Sequence, residues 1–136
     1  MDTAKVTWTG AEEFDALLPS GNTVHFDGDR KSNKGPSMME ILLGALAACT
    51  AVDVVSIIQK KRQKLVGLEI LVNGERAPEP PRIWTKIELV YRITGDVEEK
   101  AARDAIELSK GKYCSVSAML KKTATVTWRY EIERVT

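Results

Sequence analysis

From Ser37 to about Lys64 no proline intervenes, and within that span Ile41–Val52 is apolar apart from Cys49 and Thr50 before Asp53 interrupts. This segment constrains the fold more than any other. Ser37-Met38-Met39-Glu40 has the form of a capping box, in which Ser37 accepts an amide hydrogen bond and Glu40 reaches back. A long helix is therefore predicted from there to about Lys64. A bilayer needs about 20 apolar residues, and this run is shorter and flanked by acids, so the reading is a buried central helix. A helix apolar on most sides needs cover on most sides. A chain of 136 residues is about one ordinary domain and has little other structure to supply it. Part of the cover is expected from a second subunit.

The remaining segments read as strands around two helices. Lys5–Thr9 alternates about Val6 and Trp8 and is closed by Gly10; Phe14–Leu18 and Thr23–Phe26 flank the turn Pro19-Ser20-Gly21-Asn22. Asp27–Gly35 is polar with two glycines and reads as a loop. After the helix, Leu68, Ile70 and Val72 mark a strand ending at Asn73-Gly74, and the proline-rich Ala77–Pro81 is a stiff loop. Ile83–Ile93 alternates, with Ile83, Ile87, Leu89, Tyr91 and Ile93 on one face. Asp96 with Glu99 forms a second capping-box pattern, leading a helix with the stripe Val97, Ala101, Ala105 and Leu108 and a stop at Gly111. A short apolar segment, Val116–Leu120, follows Cys114. The last strand places Ala124, Val126, Trp128, Tyr130 and Ile132 inward. The order β-β-β-α-β-β-α-β predicts the α+β class: an antiparallel-rich sheet, a long central helix and a second helix packed on it, in one domain over residues 1–136.

Composition removes several classes of function. Twenty Lys and Arg against 19 Asp and Glu leave +1, which makes no electrostatic case for nucleic acid or an anionic membrane. One histidine, His25, and two cysteines are too few for a four-ligand zinc site, and nothing around His25 advertises a hydrolase triad. Met-Asp-Thr-Ala-Lys has neither the basic start nor the apolar run of a signal peptide. The expected compartment is the reducing cytoplasm, where two cysteines are thiols or a redox pair. The run Lys60-Lys61-Arg62-Gln63-Lys64 suits a helix carboxyl end. Arg30-Lys31-Ser32-Asn33-Lys34 is either loop solvation or the means of bringing a guanidinium near a thiolate. Trp8, Trp84 and Trp128 lie on strands and belong to the core or a subunit contact.

Two residues carry chemistry. Steps of four, three and four from Cys49 reach Asp53, Ser56 and Lys60, a polar seam on an otherwise apolar helix that lines either solvent or a cleft. Either makes the sulfur reachable, as a reactive thiol requires. Asp53, one turn away, raises a thiol's pKa unless a cation neutralises it. Cys114 falls at the start of a short helix, where amide dipoles favour a thiolate. The residues alone leave open which cysteine attacks, and whether the two meet.

Gly35-Pro36-Ser37-Met38-Met39-Glu40-Ile41-Leu42-Leu43-Gly44-Ala45-Leu46-Ala47-Ala48-Cys49 and Lys112-Tyr113-Cys114-Ser115-Val116-Ser117 resemble the two motifs of the OsmC/Ohr family, named for osmotic induction and organic hydroperoxide resistance. The order of elements agrees over nearly the whole chain. The resemblance implies an intertwined homodimer whose partner covers each central helix, and thiol-dependent reduction of organic hydroperoxides. Cys49 matches the peroxidatic cysteine and Cys114 the resolving one, with a dithiol, a lipoyl group in one branch, as reductant; no metal or bound cofactor is implied. Well-known peroxidases of the family carry an arginine in the first hairpin. Here Gly10-Ala11-Glu12-Glu13-Phe14 has none, leaving Arg30 as the substitute. The family's catalytic glutamate matches Glu40. Nine residues of straight helix set it about 13.5 Å from Cys49 and facing away, so it would act only across the dimer or after a helix break. Met38, Met39 and Leu42 are candidates to line an apolar peroxide pocket. The competing reading is a non-catalytic dimeric module that binds a small apolar ligand, its thiols inert.

Overall fold

The computed structural model describes residues 1–135. The chain divides into two compact units, Met1–Leu42 and a second running from Leu43 to the C-terminus. In the first, β1 (Lys5–Gly10), β2 (Glu13–Leu17) and β3 (Thr23–Asp27) form an antiparallel meander. Gly10 (φ 130°) and Ala11 (φ 48°) take the left-handed conformations that turn β1 into β2. Cross-strand partners Asp15 and His25 are ion-paired at 2.5 Å, and the other imidazole nitrogen meets Glu13 at 2.8 Å. The loop after β3 winds around the buried Asp27. Its carboxylate accepts from the Asp29 and Lys34 amides and from the Ser32 hydroxyl, which together hold it down at about 2.

Helix α1 covers Met38–Lys60. Its start is the predicted capping box: the Ser37 amide donates to Glu40 Oε2 at 2.6 Å and the Glu40 amide to Ser37 Oγ at 3.4 Å. The helix ends at Lys60 rather than near Lys64, because Arg62 adopts a left-handed φ of 58° and the chain enters β4 directly. At 23 residues and mean hydropathy 2.3, the whole helix is long and apolar enough to cross a membrane, unlike the Ile41–Val52 run considered alone. Four of its residues, Leu46, Thr50, Val54 and Ile58, are buried and form one stripe at a spacing of four. The expectation of burial on most sides is not met within this chain: Val52 is 69% exposed.

In the second unit β4 (Lys64–Arg76) pairs antiparallel with β5 (Trp84–Asp96), and β6 (Thr125–Glu133) pairs parallel with β5. The strands are thus split into two three-stranded sheets, and the second is mixed. A parallel neighbour requires a crossover. Here the chain between β5 and β6 holds α2 (Glu99–Leu108), a π-helical turn (Ser109–Tyr113) and α3 (Ser115–Leu120). Leu46, Val54 and Ile58 of α1 share one core with Ile87, Leu89, Tyr91 and Ile93 of β5 and Ala102, Ala105 and Ile106 of α2.

Several local expectations change. Asn73-Gly74 does not end β4. Gly74 pairs with Ile87 inside the ladder, and a Cβ there would lie 2.7 Å from the Trp84 ring, so the glycine admits the indole rather than making a turn. Asp96 does not cap α2: it meets Arg134 at 2.6 Å, while the N-cap residue Glu98 offers no side-chain cap and its amide donates to Gln63. The buried stripe of α2 includes Ala102 and Ile106, and Leu108 is exposed. Gly111 is not the stop of α2; it lies within the π-helical turn that continues the helix.

Candidate active site

Helix α1 presents Cys49 half-buried, at the edge of the core. Cys114 is the N-cap residue of α3, buried, with its sulfur accepting the Ser117 amide at 3.4 Å. Folding brings these two cysteines together: a side-chain hydrogen bond joins them. Burial pushes the Cys114 thiol above its usual range and the Cys49 sulfur pushes it further, against the opposing pull of the Ser117 amide and Lys110. Cys114 is therefore a thiol that keeps its proton and points it at Cys49.

The π-helical turn sets the residues before Cys114. Its defining bond runs from the Cys114 amide to the Ser109 carbonyl at 2.7 Å. Ser109 Oγ donates to Asp53 Oδ2 at 2.8 Å and meets Thr50 Oγ1 at 2.7 Å; Thr50 Oγ1 meets the Tyr91 hydroxyl at 2.8 Å. Each hydroxyl has one hydrogen, and a carboxylate only accepts. Ser109 gives its hydrogen to Asp53, so Thr50 donates to Ser109 and Tyr91 donates to Thr50. The chain has one direction, with Asp53 as its sink. Burial, the largest cause, pushes the Tyr91 hydroxyl up to about 12, so it remains protonated. Asp53 is thereby engaged by a hydroxyl, in place of the cation that its position beside Cys49 had called for.

Lys110, the second residue of the π-helical turn, has its ammonium nitrogen buried with no hydrogen-bond partner. Burial lowers its pKa, while the charges of Cys114 and Cys49 act to raise it. It is the positive group that both sulfurs feel. Of the seam on α1, Asp53, Ser56 and Lys60 line an open cavity of about 330 Å³ with Leu108 and Tyr113 among its walls.

In the first unit the structure brings together the other two candidates, Arg30 and Glu40. The guanidinium meets the Glu40 carboxylate at 3.0 Å and also donates to the carbonyls of Asp27 and Gly35. The Ser37 bonds, with Arg30 adding its charge, hold the Glu40 carboxyl below its usual range. Met38 is 45% exposed. No cluster of three or more His, Cys, Asp or Glu suited to a metal occurs among the described residues.

Sequence reasoning missed Lys110, Ser109, Thr50 and Tyr91. Thr50 carried a signal, as a hydroxyl inside an apolar run next to a cysteine. Lys110 carried none, because Ser-Lys-Gly-Lys reads as an exposed helix end.

Comparison with known proteins points one way. A family model described as OsmC-like protein matches residues 31–129. Protein YhfA of Escherichia coli (strain K12) is 42% identical over 130 residues, covering 95% of this chain and 96% of the relative. Among solved structures, a hypothetical protein from Aquifex aeolicus VF5 is 32% identical with TM-score 0.83, covering 98% of each chain. An organic hydroperoxide resistance protein OsmC from Legionella pneumophila has TM-score 0.72 over 96% of each chain, at 13% identity, a likeness of fold.

Proposed function

The chain belongs to the OsmC-like protein family, and from that premise we propose that it reduces organic hydroperoxides with Cys49 as the attacking and Cys114 as the resolving cysteine. The observation that carries this reading is the hydrogen bond between two sulfurs remote in sequence, with the proton on Cys114. A thiolate at Cys49 attacks the terminal oxygen of R–O–OH. The S–O bond forms, the O–O bond breaks, and the alkoxide leaves and takes a proton to become the alcohol. Cys114 then gives up its proton and attacks the sulfenic sulfur. The S–S bond forms, and the hydroxide leaves with that proton as water. An external dithiol of the lipoyl type returns both thiols by exchange.

The working form is a homodimer in the cytoplasm, where thiols are kept reduced. The apolar surface of α1 that this chain leaves open, Val52 included, supports a second copy as its cover. The test is turnover of cumene hydroperoxide with a dithiol. Cys49→Ser abolishes it, and Cys114→Ser stalls at a sulfenic acid that dimedone traps. Wild-type turnover in Cys49→Ser overturns the reading. Burial of the Cys114 thiol favours a second reading, an apolar-ligand module with inert thiols. It predicts no disulfide on peroxide treatment of the wild type.

A further inference from the structure

We propose that Lys110 is the cationic group of the thiol pair, holding the Cys49 sulfur as a thiolate in place of the hairpin arginine that this chain lacks. The inference deepens the peroxidase reading and rests on it for its purpose, but it concerns the state of the sulfur and is tested without peroxide.

Three observations converge. A buried ammonium nitrogen without a hydrogen-bond partner is costly to a fold, and such groups persist where a ligand or a reacting charge completes them. Its surroundings contain the two sulfurs, whose charges both act on it. The backbone that delivers it is a π-helical turn, an element rare in proteins and concentrated at functional sites. Among the described residues the one other buried side-chain atom without a partner is Ser117 Oγ, three residues beyond Cys114, so both orphans flank the same cysteine.

The proton bookkeeping selects Cys49 as the anion that Lys110 serves. Cys114 retains its hydrogen and directs it at Cys49. Cys49 therefore receives two donors, a thiol from Cys114 and an ammonium from Lys110, and both favour its charged form. Arg30, the substitute suggested by sequence, is already bound to Glu40 and two carbonyls.

The experiment follows alkylation of Cys49 by iodoacetamide in a Cys114→Ser background, across pH. An opposite charge beside an ionising group moves its titration by roughly 1–3 pH units. Lys110→Met should therefore slow alkylation near neutral pH by about tenfold or more and move the rate profile to higher pH, and Lys110→Arg should restore most of the rate. Replacing an unpaired buried ammonium with a thioether of similar length raises the melting temperature, so loss of fold does not mimic the effect. An unchanged alkylation profile in Lys110→Met overturns the inference, as does a Lys110→Arg profile no faster than that of Lys110→Met. Should the wild type fail to turn over peroxide while Lys110→Met still slows alkylation, the peroxidase reading falls and the assignment of Lys110 stands.

Discussion

Removing the Thr50 hydroxyl tests the direction of the buried hydrogen-bond chain. Thr50 is fully buried, and it both donates to Ser109 and accepts from Tyr91. Thr50→Val keeps the shape and deletes both bonds. The Tyr91 hydroxyl becomes a buried donor without an acceptor, which costs about 1–3 kcal/mol. Ser109 still donates to Asp53 and loses only a bond it received, worth about 0.5–1.5 kcal/mol. The sum is about 2–4 kcal/mol, large against a total stability on the order of 10 kcal/mol for a domain of this size. At about 3–5 °C per kcal/mol the melting temperature falls by roughly 6–20 °C. Tyr91→Phe should cost less, about 0.5–1.5 kcal/mol, because it deletes the donor and leaves Thr50 its bond to Ser109. The double variant should therefore be at least about 1 kcal/mol more stable than additivity requires. Urea unfolding followed by tryptophan fluorescence, at one fixed protein concentration, measures all four proteins. A Thr50→Val cost below about 0.5 kcal/mol, or strictly additive losses, refutes the assigned chain of donors.

Gly74→Ala places a methyl group 2.7 Å from the Trp84 ring, and the indole must move. A loss of about 1–3 kcal/mol with an altered tryptophan emission is expected, whereas a neutral effect would mean that the ring contact is not tight. Hydrogen bonds from Asp15, then Glu13, raise the His25 pKa above its usual 6.5. Because the folded value is the higher one, the stabilising contribution is complete below about pH 6.5 and disappears as pH rises through the raised value. His25→Gln should flatten that part of the stability profile, and imidazole proton shifts in NMR should titrate above the ordinary range.

Patterns confined to one segment were readable directly. The Ser37/Glu40 box opens α1, and alternation about Trp128 and Tyr130 marks β6, because capping and side-chain periodicity depend on neighbours within a few residues. The α+β class follows from the order of such segments. Where a local pattern had a rival partner elsewhere in the chain, it misled. Asp96 has the spacing of a cap, but Arg134 takes its carboxylate; Gly74 has the look of a turn, but Trp84 makes it a ladder residue.

The sequence by itself determined the long apolar helix, the two cysteines in their motifs, and the polar seam that runs from Cys49 to Lys60. Tertiary structure alone decided that β6 lies parallel to β5, that Ser109 and Thr50 link Asp53 to Tyr91, and that Lys110 turns inward. Periodicity tells which face of an element is apolar, but not which distant element will meet it. A lysine acquires its meaning from the dielectric and the charges around its nitrogen, and those are supplied by α1 and by Cys114, which only folding gathers at one place.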